Sequence, residues 1–187
     1  MKTLGQFFTV SAPSGTGKTT LLRRLLSELP ELKLSISCTT RSPRPGEKDG
    51  VDYHFVPEKE FREMISRGEF FEWEEVHGAH YGTPKHLILD RRLHGLDTIL
   101  DIDVKGALNL KKAFPESCAI FLLPPSLGVL EERLRSRNTE NQETLTRRLE
   151  NAKREMGEKD RFDYVIINDE VDRAYDEMKR IVLDKKK

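Results

Sequence analysis

The chain has 187 residues, a length that suits one compact domain carrying inserted segments. Lysine plus arginine and aspartate plus glutamate number 32 each, so no net charge draws the whole protein towards nucleic acid or an anionic membrane. No apolar run is long enough to span a bilayer or to serve as a signal peptide, so we expect a cytoplasmic protein without membrane or nucleic-acid partners.

The first predicted element is a short apolar strand that ends at a turn of small residues, and an apolar helical stripe (Leu21 to Leu29) follows the turn. Strand, glycine-rich turn, Lys-Thr and helix together are typical of a phosphate-binding loop. Backbone N–H groups and the helix N-terminus would surround a polyphosphate, Lys18 would reach its β- and γ-phosphates, and the Thr19 hydroxyl would ligate Mg²⁺. The candidate nucleotide-binding residues of this loop are Ala12, Pro13, Ser14, Gly15, Thr16, Gly17, Lys18 and Thr19.

One position departs from the usual loop pattern, because Ala12 stands where the pattern begins with glycine. The alternative is a tight turn that joins a strand to a helix and binds no nucleotide. The strand and helix on either side favour the nucleotide-binding interpretation.

The next part of the chain is less regular. Leu34 to Cys38 is predicted as one strand, and residues 39–50, which hold two prolines, two glycines and a pair of arginines, as a loop. The remaining elements up to residue 82 are predicted as a strand at 53–56, a helix from Pro57 to Gly68, a strand at 70–76 and a strand or turn at 80–82.

From residue 83 onwards predicted strands and helices alternate. The strands are at 98–103, 118–123 and 164–167, and the helices at 84–94, 104–113, 127–137, 143–159 and 172–183. This alternation implies a parallel sheet covered on both faces, whose ligands collect at the carboxyl ends of the strands. Cys38 and Cys118 fall in apolar runs and are expected to be buried thiols.

Two aspartates follow the apolar run at residues 98–100. Asp101 closes the strand, as the second acidic element of P-loop NTPases does, and can hold Mg²⁺ directly or through water. An aspartate at the end of a strand can instead cap the following helix, and for Asp103 both interpretations stay open.

Phosphoryl transfer passes through a loose state with charge spread over the phosphoryl oxygens, so a kinase needs cations in addition to Lys18. Arg41 and Arg44 can supply them from the loop at 39–50, where a solvated surface turn is the alternative. Other arginines lie in alternating Glu/Arg patterns typical of exposed helix faces, and we assign Arg135, Arg147 and Arg154 to such faces.

Six separated motifs between Gln6 and about Leu183 resemble those of guanylate kinases, which convert GMP to GDP with ATP. They read APSGTGKTT, SCTTRSPRPGEKDGVDYHF, GEFFEWEEVHGAHYGTP, ILDIDVKG, ERLRSRNTE and VIINDE, and the second is the most specific. Bacterial members of this family commonly carry alanine at the position of Ala12. The implied fold is α/β, a P-loop NTPase-type parallel sheet flanked by helices. Its core would comprise residues 1–33, 84–124 and 161–187, with an inserted GMP-binding segment at 34–83 and a helical lid at 125–160.

The resemblance also implies a role for individual residues. The GMP phosphate would be held by Arg41, Arg44, Tyr53 and Tyr81. The guanine would be read by Ser37, Glu72, Thr83 and Asp103. Arg133 would lie beside ATP and Asn168 near its adenine, and Arg137 and Arg148 would close with the lid over the transferred phosphoryl group. The catalytic set would be Lys18, Arg41, Arg44, Arg137 and Arg148, with Mg²⁺ on Thr19 and Asp101.

Guanine chemistry agrees with this assignment. The N1–H and 2-amino groups of guanine are both donors, and an ionised Glu72 can accept from both. Adenine has an acceptor at N1 and no 2-amino group, so the same carboxylate would be left unpaired.

Two other functions fit parts of the sequence. A non-catalytic guanylate-kinase-like module would bind phosphopeptides, but the intact Lys18-Thr19 and the arginines disfavour it. A kinase acting on a ribose bisphosphate is disfavoured by the guanine-reading set. We therefore expect ATP and GMP as partners, with dGMP as a further acceptor, and leave open whether the chain forms a homo-oligomer.

Overall fold

The computed structural model describes residues 4–76, 78–136 and 142–186. The strands in this part of the chain are β1 (Phe7–Ser11), β2 (Lys33–Leu34), β3 (Cys38–Thr39), β4 (His54–Phe55), β5 (Phe70–Val76), β6 (Ala79–Pro84), β7 (Thr98–Asp101), β8 (Cys118–Leu123) and β9 (Tyr164–Ile167). The α-helices are α1 (Lys18–Glu28), α2 (Glu58–Ser66), α3 (Lys85–Leu93), α4 (Val104–Ala113), α5 (Leu127–Arg135), α6 (Gln142–Gly157) and α7 (Val171–Lys185).

A five-stranded parallel sheet in the order β2-β7-β1-β8-β9 forms the centre of the fold. Every residue of β1 is buried, which explains why this strand is not alternately apolar and polar. Leu25 of α1 and Met178 of α7 belong to the apolar cluster on one face, and Ile88 of α3 and Leu110 of α4 to the cluster on the other. The predicted parallel sheet with helices on both faces is confirmed.

A second sheet, in the order β4-β3-β6-β5, is built from the less regular part of the chain. Its pairs β3–β6 and β5–β6 are antiparallel, whereas β3–β4 is parallel. Phe61 and Met64 of α2 pack with Cys38 and Phe70 in an apolar cluster of their own. The second sheet and α2 therefore have a small apolar cluster of their own, while Phe71 of β5 joins this sheet to the core by packing in a cluster of the central sheet.

The predicted single strand from Leu34 to Cys38 is wrong. Leu34 pairs with Ile99 in the central sheet, whereas Cys38 pairs with His54 and Gly82 in the second sheet. The chain crosses between the two sheets in this interval, and an apolar run does not show to which sheet each residue belongs. The predicted strand at 98–103 is also too long, since β7 ends at Asp101.

The helices α5 and α6 also have a small apolar cluster of their own, formed by Leu130, Leu134, Leu145 and Ala152. Cys38 and Cys118 are both free and buried, as predicted. None of the helices in residues 4–76, 78–136 and 142–186 combines the length and apolarity needed to cross a bilayer.

Candidate active site

The carboxyl ends of β1 and β7 open into a cleft of about 560 Å³ that the second sheet borders on its other side. Most of the predicted site residues line this cleft: the loop residues 12–19, Ser37, Tyr53, Glu72, Tyr81, Asp101 and Asp103. Residues far apart in sequence, such as Lys18 and Glu72, therefore face one common space.

The loop at residues 12–17 adopts a backbone that glycine makes possible. Gly15 and Gly17 have φ of 93° and 101°, in the left-handed region that other residues rarely enter, and Gly17 is the N-cap of α1. The side-chain amide of Asn168 donates to the Thr16 carbonyl at 2.6 Å, and Arg133 donates to the same carbonyl at 3.4 Å. In this structure Asn168 and Arg133 therefore brace the loop from outside the cleft.

Replacing Gly17 with alanine should destabilise the protein by roughly 2 kcal/mol or more, because the left-handed backbone and a steric clash both oppose a side chain there. A Cβ at this position would lie 2.5 Å from the Asn168 amide nitrogen. Urea unfolding measures the loss in the free energy of unfolding. Gly46→Ala is the matched control, since Gly46 has a similar φ of 91° but no atom within 4 Å of the added Cβ. Equal losses in the two variants would show that the contact with Asn168 is unimportant.

Lys18 and Asp101 form an ion pair across the floor of the cleft. Asp101 stands at the end of β7 opposite Val10 of β1, so the parallel pairing of the two strands brings the loop lysine to the strand-end carboxylate. Thr19 lines the same cleft. The two predicted magnesium ligands thus face a shared space, and both offer the hard oxygen atoms that Mg²⁺ prefers.

Glu72 of β5 and Thr83 of β6 form a polar pair on the side of the second sheet, where the Thr83 hydroxyl donates to a Glu72 oxygen. Burial raises the pKa of Glu72 to about 7, and the nearby Asp103 carboxylate adds to that increase. A Cβ on Gly106 would lie 2.3 Å from Cγ of Glu72, so the first turn of α4 packs directly against this side chain. Glu72 is thereby held in one position.

Asp103 is the residue for which the sequence left helix capping and ligand binding open. Its side chain caps α4 by accepting from the Gly106 N–H at 2.5 Å, and the residue also lines the cleft. The helix-capping interpretation is therefore confirmed, and it does not exclude a ligand contact.

The structure brings Arg41 together with both predicted phosphate-binding tyrosines. Its Nε donates to the Tyr81 hydroxyl at 3.2 Å, and its guanidinium lies 5.3 Å from the centre of the Tyr53 ring. Arg44 is exposed, and its backbone N–H donates to Glu47 at 2.7 Å.

The predicted lid residues are placed differently from one another. Arg148 of α6 contacts the loop, where its guanidinium lies 3.4 Å from the Ser14 hydroxyl. Arg137 is outside the described residues. Arg135 and Arg154 are exposed and contact Glu131 and Asn151 on their own helices, and Arg147 is exposed as well, as predicted.

Three carboxylates that the sequence reasoning missed also line the cleft: Asp52, Glu74 on β5 and Glu155 on α6. Burial raises the pKa of the Glu74 and Glu155 carboxyl groups. Glu155 lies seven residues after Arg148, which puts the two on the same face of α6, and this spacing could have identified it. A fourth missed residue, Glu47, pairs with Arg41 and could not be found from local spacing.

Known proteins resemble this chain over nearly its whole length. The family model described as guanylate kinase matches residues 5–185. The chain is 49% identical over 178 residues to the guanylate kinase of Dechloromonas aromatica, covering 95% of this chain and 88% of that one. It is 43% identical over 186 residues to the guanylate kinase of Caldanaerobacter subterraneus, covering 100% and 90% respectively.

Solved structures show the same likeness. The crystal structure of guanylate kinase from Anaplasma phagocytophilum has a TM-score of 0.76 and 33% identity, and the match covers 99% of this chain and 88% of that one. An uncharacterized protein from Eubacterium ventriosum shares the fold at a TM-score of 0.56 and 12% identity, over 96% of this chain and 98% of that one.

Proposed function

This chain belongs to the guanylate kinase family, and we propose how its cleft carries out the family's reaction. The chain is an ATP:GMP phosphotransferase, and its relatives give no support to a phosphopeptide-binding module or a ribose bisphosphate kinase. The observation that carries the proposal is that a phosphate-binding loop and Glu72, a carboxylate that accepts a hydrogen bond from the buried Thr83 hydroxyl, border one cleft. The first suits a triphosphate and the second suits the donor edge of guanine.

ATP would bind with its phosphates on the N–H groups of the loop and on Lys18. Asp101 pairs with Lys18, and this ion pair keeps the lysine beside the loop. Thr19 and Asp101 would hold Mg²⁺, which would neutralise part of the negative charge of the ATP phosphates. A set of two protein oxygens suits a cation that retains water and phosphate ligands.

GMP would bind on the opposite side, with its guanine on Glu72 and its phosphate on Arg41, Arg44, Tyr53 and Tyr81. Thr83 already donates to Glu72 and so directs the carboxylate, while Asp103 and Ser37 border the same space. Planar guanidinium groups suit the GMP phosphate because they carry charge at every pH and can donate two parallel hydrogen bonds.

Transfer needs no nucleophile from the protein, because the acceptor is an oxygen anion of GMP itself. The protein's part is to align the two nucleotides and to balance the charge that spreads over the transferred group. The lid arginines would contribute that charge, Arg148 from beside Ser14 and Arg137 from outside the described residues. Closure of α5 and α6 would also exclude water, which could otherwise take the phosphoryl group.

An ADP-release assay with Mg²⁺, ATP and a panel of acceptors tests this proposal. We expect turnover with GMP and dGMP and little with AMP, CMP, UMP or ribose phosphates. Equal rates with AMP and GMP would contradict the guanine site. Turnover of a ribose bisphosphate but not of GMP would show that GMP is not the acceptor.

Guanosine binding should weaken about tenfold per pH unit as the pH falls below about 7, and should level off above it. The reason is that a carboxyl with a pKa of about 7 must lose its proton before it can accept two hydrogen bonds from guanine. Guanosine is used because, unlike GMP, it has no phosphate that titrates in this range. Inhibition constants between pH 5.5 and 8 measure the effect. Affinity that does not change with pH would contradict the contact between Glu72 and guanine.

A further inference from the structure

Three donors from the loop at residues 39–50 converge on one carboxylate, that of Glu47. Nη1 and Nη2 of Arg41 donate to its two oxygens at 2.8 and 2.9 Å, and the Arg44 backbone N–H donates at 2.7 Å. Both ionic side chains are mostly buried, with exposed fractions of 17% for Arg41 and 20% for Glu47. Paired guanidinium and carboxylate groups in this two-point geometry are the strong and directional kind of ion pair.

We propose that Glu47 is a positioning residue for the acceptor phosphate: it fixes the Arg41 guanidinium so that one chosen edge of it faces the GMP phosphate. This inference rests on the proposed function and adds a residue to it. Glu47 touches neither nucleotide in this scheme and acts through Arg41 and through the turn that carries Arg44.

The hydrogen bonds that Arg41 already makes determine which edge of its guanidinium remains for a phosphate. A guanidinium has five N–H groups. Nη1 donates to Glu47 and to the Ser42 carbonyl at 2.7 Å, Nη2 donates once to Glu47, and Nε donates to the Tyr81 hydroxyl at 3.2 Å. The one N–H that these contacts leave is on Nη2, on the side of the guanidinium that faces Tyr81.

The Tyr81 hydroxyl continues this edge. Its oxygen accepts from Arg41, so its own proton can be donated to a phosphate oxygen. Tyr81 lines the cleft, and the Tyr53 ring packs against it at 5.9 Å between ring centres. The Nη2 N–H of Arg41 and the Tyr81 O–H together form a two-donor edge, the arrangement that a phosphate accepts best.

Glu47 also ties the turn that carries Arg44. Its backbone N–H donates to the Arg44 carbonyl at 3.0 Å while its carboxylate accepts from the Arg44 N–H. Contacts of the Arg41 guanidinium and of the Arg44 N–H hold the pKa of Glu47 at about 2, so the carboxylate stays ionised at any pH at which the enzyme works.

The opposing effect is repulsion between Glu47 and the phosphate. Glu47 occupies the far end of the guanidinium, so the positive charge of Arg41 lies between the two anions and offsets their repulsion. A guanidinium without this anchor could rotate, and misplacement of a binding group by about 1 Å can cost roughly 10²-fold in rate. Positioning is therefore expected to outweigh repulsion.

Glu47→Gln tests the inference, because the amide turns its NH₂ group towards the donors of Arg41 or Arg44. We expect KM for GMP to rise roughly tenfold to a hundredfold, while KM for ATP and the inhibition constant of guanosine change less than about twofold. Guanosine has no phosphate, so its binding separates loss of phosphate positioning from general damage to the segment. Glu47→Asp keeps the charge with a shorter reach, and it should give a smaller rise in KM for GMP.

Glu63→Gln is the matched control, since Glu63 is exposed on α2 and pairs loosely with Arg67 at 3.7 Å. It should leave every constant unchanged. An unchanged or lowered KM for GMP in Glu47→Gln would overturn the inference, and so would an equal loss of guanosine affinity. The affinities of GMP and guanosine are also measured directly by calorimetry. If the wild type failed to phosphorylate GMP, the proposed function would fail, whereas the ratio of these two affinities would still test Glu47.

Discussion

Lys18→Met should lower kcat for GMP phosphorylation by about 10³-fold or more, while KM for ATP changes much less. The ammonium group of Lys18 would follow the charge that develops on the transferred phosphoryl group, and a single cation with this role in phosphoryl transfer is worth roughly 10³- to 10⁵-fold. Methionine keeps the length and flexibility of the side chain but removes its charge. Steady-state kinetics with saturating Mg²⁺ and GMP measure both constants.

The control for Lys18 must also lose an ion pair. Lys179→Met does so, because Lys179 of α7 pairs with Glu28 at 2.7 Å, away from the residues that line the cleft. We expect it to keep wild-type kcat. A Lys18→Met enzyme with near wild-type kcat would show that the loop holds ATP without contributing to the chemistry.

Glu72→Gln should remove most of the preference for GMP over AMP, a preference that a buried polar pairing can raise to about 10⁴-fold. Glutamine offers guanine one acceptor in place of two, and its amide N–H can donate to N1 of adenine. The ratio of kcat/KM for GMP and AMP at pH 8, where the Glu72 carboxyl of the wild type is ionised, measures the change. Glu75→Gln is the control on the same strand, since Glu75 is 61% exposed. An unchanged ratio in Glu72→Gln would remove Glu72 from the guanine site.

The same substitution has a second expected effect, on stability. The pKa of Glu72 is raised from 4.5 to about 7 in the folded protein, so its ionisation opposes folding as the pH rises through this range. The cost is absent below about pH 4.5 and complete above about pH 7. Glu72→Gln should therefore stabilise the nucleotide-free protein by about 3 kcal/mol at pH 8 and by little at pH 4. Urea unfolding at the two pH values tests this and also shows that the variant folds.

Much of the central fold could be predicted because its residues are constrained locally. β8 is apolar throughout and β1 is mostly apolar, as is typical of strands buried on both faces. The loop between β1 and α1 needs left-handed backbone at Gly15 and Gly17, and the sequence has glycine at both positions. The acidic end of β7 follows from the apolar run before it, so the sequence alone predicts Asp101 at the same edge of the sheet as the loop.

The second sheet was less predictable. Its strands β3 and β4 have two residues each, too few to produce a periodic pattern, and Leu34 and Cys38 belong to different sheets despite their single apolar run. Strand pairing here depends on contacts such as Cys38 with Gly82, which lie far apart in sequence. The resemblance to guanylate kinases supplied the site residues of this region, whereas composition and spacing alone left them open.

By itself, then, the sequence determined the alternation of strands and helices, the glycine-rich loop and the strand-end aspartate, because each follows from the geometry of neighbouring residues. Only the tertiary structure decided the surroundings of the charged side chains: Glu72 buried against Gly106, Glu47 paired with Arg41, and Glu155 turned into the cleft. The sequence around a glutamate does not show whether its carboxylate is exposed to solvent or buried. Its pKa and its partner depend on how closely distant segments approach one another, and the fold alone sets those distances.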